Sequence, residues 1–257
     1  MMMLLGWILG CASTPSPDTV AASVDAAQDV AGAESETKRG VSVVLDGQTI
    51  AANWDDGDTF SARMPTDDGG FEKLKGRLVG FNTLESYGPV HRWGDWTAEE
   101  LAGIAKAAGE RARGTQWVCS KLEGSGGYGR SRVDCPALRQ ALLQEGLAHL
   151  FVMDDEASAE DLAMQAKAIQ DGAGMWAKGA PQGIVTSLHS LDERPDQEET
   201  YDRVVSTETG KSEKFNHADN YESCQEVCRS GSCLTYVPYQ MRYGENRAAC
   251  LREPTDP

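Results

Sequence analysis

Between residues 41 and 81 apolar and polar positions alternate in short runs separated by turn residues. Val41–Leu45 is followed by Asp46-Gly47, Thr49–Trp54 by Asp56-Gly57, and Thr59–Met64 precedes a fourth run over Leu74–Phe81. A two-residue period interrupted by Asp-Gly predicts a β-meander. After Thr97 the period becomes helical: Leu101, Ile104 and Ala108 share one face, and Thr97-Ala-Glu-Glu100 has the form of a capping box. Two further strands, Thr115–Leu122 and Ser131–Asp134, flank the Gly-rich loop 123–129. A second helix opens at Pro136, whose fixed φ suits a first turn, carries Leu138 and Leu142 inward and stops at Gly146. A third begins near Ser158, turns Leu162, Ala166 and Ile169 inward and stops at Gly172. Strands, helix, hairpin and two helices predict an α+β chain, with an OB-type five-stranded barrel carrying three helices over residues 41–180.

The flanks differ in character. Residues 181–214 are polar and acidic and read as a linker that adds at most one strand near its end, and residues 215–257 form a small Cys-rich module. Residues 12–40 are Ala, Ser, Thr, Asp and Pro without an apolar face, the composition of a disordered tether. Ahead of them an apolar run ends in Ile8-Leu9-Gly10-Cys11. This resembles the bacterial lipobox, which implies a lipoprotein signal segment over 1–11, a lipid anchor to the membrane on Cys11, and export to the outer membrane, facing the periplasm or the cell surface. The alternative is a buried N-terminal strand; the run is too short for a membrane span.

Cysteine use agrees with export. Of seven cysteines, six remain without Cys11, and disulfides persist in oxidising compartments. Cys119 and Cys135 bracket the Gly-rich hairpin, where either a cross-strand disulfide or two free thiols would fit. Cys224, Cys228, Cys233 and Cys250 are spaced for disulfides or for zinc, and the exported setting favours disulfides, which a module this small needs in order to fold. The four histidines, His91, His149, His189 and His217, lack ligand spacing and read as structural.

A formal charge of −16 counts against tight nonspecific binding of nucleic acid, whose affinity rests on Lys and Arg releasing counterions. Residues 41–180 carry 14 Lys and Arg against 21 Asp and Glu, so only −7 of the −16 lies there. A local basic clamp is compatible with that balance.

Four stretches carry candidate chemistry, in this order: Asp55-Asp-Gly-Asp-Thr-Phe60, Gly76-Arg-Leu-Val-Gly-Phe-Asn-Thr-Leu-Glu85, Tyr128-Gly-Arg130 and Gly146-Leu-Ala148. With Gln165-Ala-Lys167 and Gly174-Met-Trp176 they resemble the staphylococcal nuclease (thermonuclease) family over roughly residues 41–178. With the last two counted as one closing motif, five motifs in order are much harder to meet by chance than one. The resemblance implies an SNase-like barrel and a Ca²⁺-dependent nuclease that hydrolyses DNA or RNA to products bearing 3′-phosphates. It makes Asp58, Asn82 and Thr83 the metal ligands with Asp56 supporting them, Arg77 and Arg130 a clamp on the scissile phosphate, and Glu85 the general base. Tyr128 would contact a terminal phosphate. The chain departs from the family at Asn82, where the family has a metal-binding aspartate, and at Leu84, where it has proline. Loss of one formal charge weakens cation binding, so the rival reading is a weakened or inactive SNase-fold surface binding protein. The C-terminal cysteines resemble the core of PAN/apple modules, implying a short helix near Asp219 stapled to a sheet, the pairs Cys224–Cys250 and Cys228–Cys233, and a protein or carbohydrate ligand.

Overall fold

The computed structural model describes residues 41–66, 68–86 and 90–252. The chain is α+β. Strands β1 (Ser42–Leu45), β2 (Gln48–Trp54), β3 (Thr59–Pro65) and β4 (Phe71–Leu78) form the meander; β5 (Gly80–Thr83) and β6 (His91–Trp93) lead to helix α1 (Ala98–Arg113). Then follow β7 (Trp117–Ser125), β8 (Ser131–Asp134), α2 (Pro136–Gln144), β9 (Ala148–Phe151) and α3 (Ala159–Asp171).

The barrel closes on six strands rather than the expected five, in the order β1-β2-β3-β4-β8-β7. The sixth comes from β1, which pairs on both edges: antiparallel with β2 through the Asp46-Gly47 turn, and parallel with β7 through Val43↔Trp117 to Leu45↔Cys119. Its architecture is consistent with an OB-like barrel. Alternation fills the interior with Val43, Leu45, Ile50, Trp54, Phe60, Leu78 and Val133. Gly76 stands where the Phe60 ring crosses, and a Cβ there would lie 2.7 Å from it.

The helices start and stop as the sequence predicts. Thr97 caps α1 and completes the capping box with Glu100; Ser158 caps α3; Gly172 ends α3 in the left-handed region. The expected fourth strand, Leu74–Phe81, is two elements: at Gly80, with φ +88°, the chain leaves the barrel and β5 pairs with β9. A disulfide joins Cys119 on β7 to Cys135 before α2, and both are buried.

Residues 181–214 are not a linker. Strands β10 (Gly183–Ser187), β11 (Thr200–Ser206) and β12 (Ser212–His217) form an antiparallel sheet, and the described residues belong to one compact unit. The acidic residues that suggested a linker lie mostly on its surface, whereas Ile184, Val185, Leu188, Val204 and Val205 are buried. The buried Asp202 is held by Tyr221 Oη at 2.8 Å, Arg229 Nε at 2.6 Å and His217 Nε2 at 3.1 Å. Gln165 ties this sheet to the barrel side: its Oε1 accepts from Leu150 N at 2.7 Å and its Nε2 donates to Thr207 O at 2.6 Å.

The helix expected near Asp219 is absent. Cys224 lies in a turn at φ +70°, and β13 (Glu226–Arg229) and β14 (Ser232–Thr235) form a hairpin that adds β6 as its third strand. Cys228 and Cys233 face each other across that hairpin, and the disulfides are Cys224–Cys250 and Cys228–Cys233. Those thiols are therefore committed to each other rather than to zinc. Cys11 and the tether lie outside the described residues.

Candidate active site

Asp58 lies between the Asp56-Gly57 turn and β3, with its carboxylate almost wholly buried. A buried carboxylate needs donors. Arg77 Nη1 and Thr59 Oγ1 donate to Oδ1, the latter at 2.9 Å, and the backbone N–H of Thr83 donates to Oδ2 at 2.9 Å. Arg77 reaches Asp58 because it pairs with Thr59 in the β3–β4 register. Its other terminal nitrogen donates to Asn82 Oδ1, so the guanidinium fork spans Asp58 and Asn82.

Asn82 and Thr83 are present because β5 leaves the barrel: Asn82 pairs with His149 and Thr83 with Ala148 on β9. Gly57 permits their approach, since a Cβ on it would lie 2.5 Å from Thr83 Cγ2 and 3.0 Å from Ala108 Cβ on α1. Asp56 accepts from the Asp58 N–H at 3.0 Å. Burial, then the neighbouring Asp58 charge, push the Asp56 carboxyl well above the usual carboxylate range.

Arg130 enters from the Gly-rich loop, next to Ser131, which pairs with Gly76 in the parallel β4–β8 ladder. Its guanidinium donates to the Gly126 and Gly127 carbonyls, each at 3.3 Å. Burial and the charge of Arg77 lower its pKa, while Asp58 and Asp56 oppose that shift. The Tyr128 ring stands 5.8 Å from it, on a residue at φ +51° and almost fully exposed.

Glu85 lies just past β5. Desolvation and the Asp58 charge raise its carboxyl, and Arg77, Arg242 and Arg130 pull it down. Part of its side chain meets solvent, so protein crowds the carboxyl without sealing it off. Asp56, Asp58, Asn82, Thr83, Glu85, Arg77 and Arg130 are thus brought together from three separate segments. Two residues join them that sequence reasoning did not single out: Arg242, beside Glu85, and Tyr243, whose phenol is raised by burial and by the Glu85 and Asp55 charges. No sequence signal marks them, because nothing local relates residues so far apart.

The donors are hard oxygens: the Asp58 carboxylate, the Asn82 carboxamide oxygen, and Thr83, whose buried Oγ1 has no hydrogen-bond partner. A carboxylate, a carboxamide oxygen and a hydroxyl are donor types that Ca²⁺ takes, and in this structure Arg77 donates to Asp58 Oδ1 and Asn82 Oδ1. No protein-family model matches the chain. No curated protein matches it either.

Proposed function

We propose that this protein is a Ca²⁺-dependent phosphodiesterase of the staphylococcal nuclease type, hydrolysing DNA or RNA. One observation carries the reading: Asp58, Asn82, Arg77, Glu85 and Arg130 meet at one place on the barrel, the set that hydrolysis of a phosphodiester requires. Asp58, Asn82 and Thr83 would hold a Ca²⁺, which would supply positive charge to the phosphate. Glu85, raised but not sealed from solvent, accepts the proton of the attacking water. Arg77 and Arg130 bind the phosphate oxygens and stabilise the charge that grows on them during attack. Products with 3′-phosphates are the expectation from the motif resemblance. Three disulfides support an oxidising, exported location. The membrane anchor at Cys11 and a protein or carbohydrate ligand for the C-terminal cysteine-rich part belong to the same proposal.

A second reading has its own observation. Arg77 already bridges Asp58 and Asn82, so the guanidinium serves as the counter-ion that a metal would otherwise be. With asparagine at 82, this describes a barrel that has lost catalysis and binds without cleaving.

The test is hydrolysis of single-stranded DNA at millimolar-range calcium, with Glu85→Ala and Asn82→Asp in parallel. The nuclease reading expects chelator-sensitive cleavage, lost in Glu85→Ala and raised in Asn82→Asp. Absence of metal-dependent cleavage in both wild type and Asn82→Asp would leave the binding protein.

A further inference from the structure

The C-terminal part carries a cavity of its own. After β14 the chain folds back on itself: Gly244 turns in the left-handed region at φ +72°, Arg247 N donates to Gly244 O at 3.3 Å, and Ala248 N donates to Met241 O at 2.8 Å. This loop is fixed at two points. Val237, Ala248 and Leu251 pack with Val90, Cys224 and Met241, and the Cys224–Cys250 disulfide fastens its far end to the turn before β13. A cavity of about 500 Å³ opens on the loop, with Gln240, Met241, Glu245, Asn246, Arg247 and Arg252 in its lining. That volume lies within the range of small-molecule sites.

The two arginines of the lining are held differently. Arg252 is braced on the backbone, its Nε donating to Arg247 O at 2.8 Å and its Nη2 to Glu245 O at 3.4 Å. Arg247 is the opposite case: its Nε is buried and has no hydrogen-bond partner within the protein. Among the described residues neither arginine forms an ion pair, although the chain has 40 Asp and Glu against 24 Lys and Arg. A buried N–H on a cation without an acceptor is costly and uncommon in a folded protein. An oxyanion in the cavity would supply that acceptor and the missing charge together.

We propose that this cavity binds a small hydroxycarboxylate, with its carboxylate on the guanidinium groups of Arg247 and Arg252. The planar fork of arginine matches carboxylate oxygens. Glu245 offsets one of the two positive charges in the lining, so the site favours a single negative charge over a dianion. The side-chain amides of Gln240 and Asn246 each offer donors and an acceptor, the complement of ligand hydroxyls, and Met241 adds an apolar wall. The proposal rests on the reading that the C-terminal part binds a ligand, and names that ligand's chemistry. It shares no residue with the barrel site and so stands apart from the phosphodiesterase reading.

The experiment is calorimetric titration of the full, disulfide-intact chain with gluconate to millimolar concentration, beside sorbitol, its neutral counterpart. Gluconate should bind and sorbitol should not. Arg247→Gln should weaken binding by roughly ten- to a hundredfold, the usual effect of losing a charge-assisted hydrogen bond. Because Arg247 Nε bonds nothing in the protein, that variant should melt with the parent when no ligand is present. Glu245→Gln should tighten binding roughly two- to fivefold, since the lining loses its negative charge. An oligogalacturonate titrated at equal carboxylate concentration distinguishes a free acid from an acidic sugar unit of a polymer; binding of either through Arg247 supports the site. No binding of gluconate or oligogalacturonate, equal binding of sorbitol, or affinity indifferent to Arg247→Gln would overturn the proposal. A ligand of other chemistry bound elsewhere on residues 215–257 would keep the ligand-binding reading and lose this site. Cleavage of DNA, measured separately, reports on the phosphodiesterase reading alone.

Discussion

Arg77 and Asp58 are paired through their sheet as well as through their charges: the register that sets Arg77 opposite Thr59 brings its guanidinium onto the buried Asp58 carboxylate. The arginine is partly exposed and the aspartate is not, so the pair has one face toward solvent and one toward the core.

Removing that arginine leaves a buried carboxylate with only Thr59 and Thr83 as donors. Arg77→Ala is expected to cost about 3 kcal/mol of stability, measured by denaturant titration, because the remaining charge is uncompensated. On the phosphodiesterase reading, kcat also falls by two orders of magnitude or more, the usual effect of deleting a donor to developing charge.

Gly57 separates the two aspartates and touches both β5 and α1. Gly57→Ala is expected to displace Thr83 and the N–H it offers to Asp58, since the new Cβ would meet Thr83 Cγ2 at 2.5 Å. A loss of about 1–3 kcal/mol in thermal or chemical denaturation is the expected outcome. If melting is unchanged, the close packing of turn and strand is not what holds Thr83.

The disulfides differ in how much chain they constrain. Cys119–Cys135 closes a separation of 16 residues and Cys228–Cys233 one of 5. Replacing the first pair by serine should cost about 3 kcal/mol and the second about 2 kcal/mol, following the logarithmic growth of loop entropy. Reduced and oxidised denaturation curves of each double variant check the order.

Two buried histidines give stability a pH dependence of predictable sign. Burial lowers His91 to about 3 and His149 to about 4, from an ordinary 6.5. Between those values and 6.5 the unfolded chain binds protons that the folded chain refuses, so stability is greatest above 6.5 and falls as pH drops. Each histidine contributes about 1.4 kcal/mol per pH unit in that window. His91→Gln should flatten the acid side of a stability–pH profile by roughly half of this histidine-dependent slope; an unchanged profile would mean that His91 is protonated in the folded state.

The local features were legible because their causes are local. The Asp-Gly turns, the Thr97 and Ser158 caps, Pro136 and the glycine stops act over a few residues, and the structure has each of them. Alternation likewise marked residues 41–81 as a meander, and the structure has β1 to β4 there. The acidic stretch misled because charge on one face of a strand conceals apolar residues on the other, and β10 and β11 bury theirs against partners that composition cannot name. The Asp219 helix failed for a related reason: cysteine spacing fits one helical turn and also a tight hairpin, and pairing with β6 decided for the hairpin.

By itself, then, the sequence determined the turns, the caps, the alternation of the barrel strands and the residue types able to meet a phosphate. Tertiary structure alone decided that the chain turns off the barrel at Gly80, which brings Asn82 to Arg77, and that β14 docks on β6, which brings Arg242 and Tyr243 to Glu85. The reason is physical: turn and cap energies depend on neighbours in sequence, whereas strand partners and packed faces are chosen by closure of the whole chain.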